Sequence, residues 1–208
     1  YFMPRLLAKF AQEHPGIDVQ FSVGNREALL EKLHDNTIDL AVMGRTPVEI
    51  DAHAEPMASH PYILIGPADH PLRDARRFDL HELRHETFLL REEGSGSRRV
   101  AEEMFKNHLF TPARTISMGS NETIKQAVMA GMGISLISLH TLPLELKTRE
   151  VSLLDVIGTP IERTWYVVNM NAKRLLPAGQ KFRNFLLDEA ASGLEREFGR
   201  YLASRTAV

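Results

Sequence analysis

The sequence predicts an α/β protein built as two related lobes, and three observations carry that expectation. Apolar runs of strand length alternate with amphipathic helical stretches along most of the 208 residues. A break–helix–strand run occurs twice, with Gly24-Asn25-Arg26-Glu27 opening one copy and Gly119-Ser120-Asn121-Glu122 the other. Finally, Gly66-Pro67-Ala68-Asp69-His70-Pro71 places a glycine and two prolines in one short stretch, a bend where the chain can pass from lobe to lobe.

The elements follow in order. Pro4 is tolerated in a first helical turn, and Leu6, Leu7, Phe10 and Ala11 share a face until His14-Pro15-Gly16 ends the helix. Ile17 to Val23 alternates as a strand, Arg26 to Asp35 groups Leu29, Leu30 and Leu33 on a helix, and Ile38 to Met43 reads as a buried strand. That spacing predicts a βαβ unit with parallel strands. Tyr62 to Ile65 is a further strand, and a short helix spans Leu80 to Arg84. Strand Thr87 to Leu90, helix Arg98 to Asn107 and strand Arg114 to Met118 come next. A helix running to Ala130 and strand Ile134 to Ser138 follow. Strand Thr164 to Val168 and a helix from Pro177 to about Ala190 complete the pattern, and Leu194, Phe198, Tyr201 and Leu202 keep helical spacing in the tail. The predicted division is residues 1–66 with 163–208 for the first lobe and 67–162 for an inserted second lobe.

Composition removes several classes. Hydrophobic residues at 43% and charged residues at 25% are the mix of a globular protein with a real core. Lys plus Arg number 25 against 27 Asp plus Glu, so there is no basic excess of the kind that holds DNA phosphates. Without cysteine there is no disulfide and no thiolate metal site. No apolar run reaches the length of a membrane span. Tyr1-Phe2-Met3-Pro4-Arg5 has neither a start Met nor signal-peptide character and reads as a cut inside a longer protein.

Chemistry-bearing residues gather at strand-to-helix breaks. Three helix N-termini are expected, at Asn25, at Ser95 to Ser97 and at Ser120. Exposed N–H groups and the helix dipole make such ends natural anion sites. Arg26, Arg45 and Arg98 lie in or beside those breaks and suit bidentate capture of carboxylate or phosphate. Gly94-Ser95-Gly96-Ser97 lacks both the Walker pattern and Gly-x-Gly-x-x-Gly, which leaves a tight turn or an anion nest. Asn121 and Glu122 either orient a ligand or simply open a helix. Caps and solvated arginines are the structural alternative for the whole set.

His81-Glu82-Leu83-Arg84-His85 matches H-E-x-x-H, in which two imidazoles one helical turn apart hold zinc and the glutamate activates water. The predicted helix there is too short to support a metal and its surroundings, so no metal and no cofactor are expected. No Gly-x-Ser-x-Gly elbow is present. His53, His60, His70 and His140 lie beside loop signals and are expected at the surface. Trp165 is expected to pack in the core or between lobes.

Several stretches together resemble the effector-binding domain of LysR-type transcription regulators. They are Pro4 to Phe10 with His14-Pro15-Gly16-Ile17, Ile38 to Val42, Asp69-His70-Pro71-Leu72, Glu122 to Gly133, and Leu176 to Phe182. Arg91 to Arg98 and Met43 to Pro47 look most like regulators of the RuBisCO operon (CbbR-type). The resemblance implies a periplasmic-binding-protein-like fold, two Rossmann-like lobes joined by two crossing strands, with no enzymatic activity. It implies a small anionic metabolite held in the inter-lobe cleft by Gly24, Asn25, Arg26, Arg45, Glu93, Gly94, Ser95, Arg98, Asn121 and Glu122. A phosphorylated metabolite is favoured, with a dicarboxylate or aromatic acid as alternative. It further implies a cytoplasmic homo-oligomer that contacts DNA only through a winged helix-turn-helix absent from this chain. A free-standing solute-binding protein and, more remotely, a zinc hydrolase stand as rivals.

Overall fold

The computed structural model describes residues 1–206, with side chains through residue 202. The helices are α1 (Met3–Glu13), α2 (Arg26–His34), α3 (Gly96–Asn107), α4 (Asn121–Met129), α5 (Pro143–Thr148) and α6 (Pro177–Thr206). The strands are β1 (Ala41–Met43), β2 (Ala52–Pro67), β3 (Thr87–Arg91), β4 (Arg114–Met118), β5 (Ser135–Ser138), β6 (Val151–Leu154) and β7 (Ile161–Met170). The chain groups into two compact units. Tyr1–His60 with Arg163–Arg200 forms the first, and Pro61–Glu162 makes up the bulk of the second. β2 carries the chain out of the first unit at His60 and Pro61, in mid-strand and ahead of the Gly66-Pro67 bend.

In the first unit, β1 pairs antiparallel with β7, Val42 opposite Val167, and α2 covers the pair with Leu33, which is wholly buried with Ala41, Met43 and Val168. Against α1, Phe10 meets Phe182 and Phe185 of α6 edge-on at 4.8 and 5.2 Å. Such pairs add to the area they bury. α6 does not stop near Ala190. It continues to Thr206, because Leu194 and Phe198 are buried and extend its apolar stripe past the expected end.

Ile17 to Val23 is not a strand and enters no βαβ unit. Phe21 and Val23 are exposed at 49% and 84%, so the alternation has no surface to bury against. Nor is β1 part of a parallel pair, its partner β7 being antiparallel.

The second unit follows its expected order closely. β3 and β4 are parallel, Leu89 opposite Ile116, with α3 as the crossover. α4 then returns the chain so that Ile134 bridges Phe88 in parallel, and β5 continues antiparallel to β2. Phe88 meets Phe105 and Phe110 edge-to-face in a core that includes Leu64, Leu83, Met104, Leu136 and Leu154. β6 and α5 fall outside the predicted elements.

The histidines correct another expectation. His60, His70 and His140 are buried, not at the surface. His70 accepts a hydrogen bond at Nδ1 from the Leu72 amide at 3.1 Å, and its side chain packs against Gly66, where a Cβ would meet the ring at 3.0 Å. Burial pushes the His140 imidazole down to about 4, so it is neutral at physiological pH. Among the described residues no helix is long and apolar enough to cross a membrane.

Candidate functional site

In the first unit the candidate residues gather around the start of α2. Asn25 caps the helix, its side-chain oxygen accepting from the Ala28 amide at 3.0 Å, with Gly24 just ahead and Glu27 in the first turn. Arg26 is anchored rather than free. It donates to the carbonyls of Arg45 and Thr46 at 3.2 and 3.1 Å and grips Glu49 at 2.7 Å. Arg45 meets the same carboxylate at 3.3 Å. The hydrogen bond from Arg26 holds the Glu49 carboxyl far below its ordinary range, at about 2. Arg26 thus fastens the loop 44–49 to the head of α2 and leaves Arg45 as its more exposed cation, 44% accessible against 18%. Sequence reasoning missed Glu49. Its only local signal is the four-residue spacing from Arg45.

In the second unit the parallel pairing decides the geometry. Because β3 and β4 run the same way and end in register at Arg91 and Met118, their carboxyl ends share one edge. The helices that follow, α3 and α4, therefore both present N-termini there, which is where α/β sheets commonly hold ligands. Ser120 caps α4, accepting from the Thr123 amide at 3.0 Å. Ser95 stands at the N-cap of α3 with an extended backbone but makes no side-chain cap bond. Gly94, just before it, holds φ +82, the left-handed turn that brings the chain into the helix. Glu93, Gly94, Ser95, Arg98, Arg99 and Glu102 line an open hollow of about 240 Å³.

Arg91, which the sequence did not single out, ties this edge together. Arg91, at the end of β3, grips Glu92 with two bonds of 2.7 Å and reaches Asn121 Oδ1 at 2.8 Å. Arg98 donates to the Arg91 carbonyl at 3.3 Å and to Glu102 at 2.8 Å. Asn121 is thus joined to the α3 loop through Arg91. Glu122 turns away to Lys125, at 2.9 Å, and that contact lowers its carboxyl from the ordinary range.

His81 and His85 are not brought together as ligands. The helix there is a 3-10 turn, Leu80–Leu83, which ends before His85, and His81 is taken by Asp79 at 2.8 Å. Among the described residues no group of three or more His, Asp or Glu is placed to hold a metal ion.

Residues 1–191 match the LysR substrate binding domain. The chain belongs to that family. The LysR-family chain is 62% identical over 205 residues to the HTH-type transcriptional regulator CfxR of Cupriavidus necator, covering 99% of itself and 65% of that protein. It is 46% identical over 191 residues to the RuBisCO operon transcriptional regulator of Allochromatium vinosum, covering 92% of itself and 63% of that protein. It thus spans somewhat under two thirds of each relative. The regulatory domain of CcmR from Synechocystis PCC6803, solved in complex with 2-PG, superposes with a TM-score of 0.85 at 39% identity over 90% of each chain. The effector binding domain of QuiR shares the fold at 20% identity and a TM-score of 0.78. The LysR effector-domain fold, periplasmic-binding-protein-like and mixed α/β, is therefore the fold of this chain.

Proposed function

We propose that this chain is the effector-sensing part of a cytoplasmic transcription regulator of the RuBisCO-operon type, that its effector is a small phosphorylated anion, and that it is not an enzyme. One observation carries the reading. The shared carboxyl edge of β3 and β4 presents two helix N-termini beside Arg91 and Arg98, and Ser95 there keeps a hydroxyl unused by its own helix. Fixed N–H donors, a hydroxyl and guanidinium groups are what a phosphate dianion requires, and nothing in the set activates a nucleophile or a water. A relative's regulatory domain holding 2-PG, a small phosphorylated metabolite, supports the same ligand class. Relatives that are regulators, one after another, argue against a free-standing solute-binding protein.

The two units are proposed as the two lobes of the effector domain. Gly24, Asn25, Arg26 and Arg45 form the candidate set of the first, and Glu93, Gly94, Ser95, Arg98, Asn121 and Glu122 that of the second. DNA contact is assigned to a part of the parent protein beyond these residues, which fits a formal charge of −2 on this chain.

Calorimetry of the chain against 2-PG, other phosphorylated metabolites, a dicarboxylate, benzoate and a neutral sugar tests the ligand class. The tightest binder is expected to be phosphorylated, and losing one charge-assisted contact should weaken it roughly ten- to a hundredfold. A neutral best ligand, or Ser95→Ala and Arg45→Ala both leaving its affinity unchanged, ends the anion reading.

A homo-oligomer, at least a dimer, is proposed from the family's implied assembly. Light scattering should show a mass above the 23.5 kDa of one chain. A particle that stays monomeric at high micromolar concentration counts against it.

A further inference from the structure

We infer that Glu92 is a resident competitor for the anion site: its carboxylate occupies the Arg91 guanidinium that a phosphorylated effector takes over on binding. The inference rests on the anion reading above and adds to it the group that sets ligand charge. Arg91 lies at the carboxyl end of β3, between the N-termini of α3 and α4, with its side chain 19% accessible. Its Nε and one terminal nitrogen each hold a Glu92 oxygen at 2.7 Å, the fork geometry with which guanidinium binds a free carboxylate or phosphate. Its other terminal nitrogen is fixed on Asn121 Oδ1, so the group is held in place on the side away from Glu92. Apart from the Arg91 fork, Glu92 is held among the described residues through its backbone, where its amide donates to the Met118 carbonyl at 3.1 Å and its carbonyl accepts from the Ser95 amide at 3.2 Å. The side chain is 36% accessible and can swing to water without breaking either bond.

The hydrogen bond from Arg91 lowers the Glu92 carboxyl from its ordinary range, so the competitor stays ionised across physiological pH. A carboxylate tethered on the next residue acts at high effective concentration. A free monocarboxylate offers the same bonds and no more charge, so it loses that contest. A phosphate dianion brings a third oxygen and a second charge, and these can be met by the helix N–H groups, Ser95 and Arg98. Glu92 therefore selects dianions over monoanions.

The test is calorimetry with 2-PG, inorganic phosphate and acetate on the chain and on Glu92→Gln, Glu92→Asp, Arg91→Gln and the Arg91→Gln/Glu92→Gln double variant. Melting curves confirm that each variant is folded. Removing the competitor should tighten 2-PG about tenfold and make acetate binding measurable, while Arg91→Gln should weaken 2-PG about tenfold or more. Glu92→Asp, which keeps the charge but shortens the arm, should give a gain of a few fold and serves if Glu92→Gln does not fold. In the Arg91→Gln background the gain from Glu92→Gln should vanish, whereas a general charge effect would persist. Unchanged or weaker 2-PG binding by Glu92→Gln, with Ser95→Ala still weakening it, overturns this inference and leaves the anion reading standing. No binding of either phosphorylated probe to any variant overturns both.

Discussion

Lys125→Met is expected to cost the fold about 3–5 kcal/mol, the loss typical of breaking a buried ion pair from one side. Lys125 on α4 and Glu145 on α5 are 4% and 6% accessible, with their charged atoms 2.6 Å apart. Lys125 also holds Glu122 at 2.9 Å, while Glu145 Oε2 is buried with no hydrogen-bond partner among the described residues. Removing the ammonium leaves a desolvated carboxylate without its cation. Methionine keeps the length of the stem, so packing loss is kept small. Urea unfolding should show the midpoint falling with the slope unchanged. Adding Glu145→Leu should recover most of the loss, since an apolar pair of similar volume is often as stable as the ion pair. A single variant as stable as the parent would show that Glu145 finds water or another partner. The same pair locates the base of α4, whose first turn carries Asn121 and Glu122, so the single variant should also weaken effector binding.

Gly133→Ala should be at least as damaging, with a loss above about 4 kcal/mol or no folded protein at all. Gly133 has φ +155, and a Cβ there would sit 2.2 Å from the Thr87 carbonyl oxygen and 3.1 Å from its carbon. That oxygen accepts the Ile134 amide at 2.9 Å, one of the bonds that join the β5 approach to β3. The chain cannot move off without opening the sheet beside Phe88, which is wholly buried. Gly131 provides the comparison within three residues. It has φ +75, but a Cβ there would meet nothing within 4 Å, so Gly131→Ala should cost only about 1 kcal/mol, the strain without the clash. Equal stability of the two variants would disprove the clash argument.

Most of the second unit, β6 and α5 apart, was legible in the sequence because β3 and β5 are short apolar runs set between glycine and serine breaks. Thr87 to Leu90 and Ile134 to Ser138 are buried on both sides and read as such. The first half of β2 was not legible, since His53, Glu55, Pro56, His60 and Pro61 interrupt any apolar rhythm. Its pairing is supplied by tertiary neighbours rather than by local preference. Ile17 to Val23 shows the opposite failure, a good alternation with no surface to cover. At the site, Asn25 and Ser120 were found because N-caps announce themselves by residue type. Glu49 was not, because Arg26 reaches it across 23 residues of chain. Arg91 and Glu92 were passed over because adjacent opposite charges are ordinary in loops. Only the register of β3 and β4 reveals where their pair stands.

The first unit also has an optical consequence. Trp165 is the single tryptophan of the chain, and its ring lies face to face with His60, centroids 3.7 Å apart and planes 16° from parallel. Phe2 closes on it at 5.5 Å, and Gly44 packs onto the imidazole, where a Cβ would come within 3.2 Å. Because the chain has one tryptophan, its indole emission reports on this one stacked pair. His60 is the residue at which β2 leaves the first unit. Indole emission is therefore sensitive to the surroundings of that point, with no dye to attach and no residue to replace.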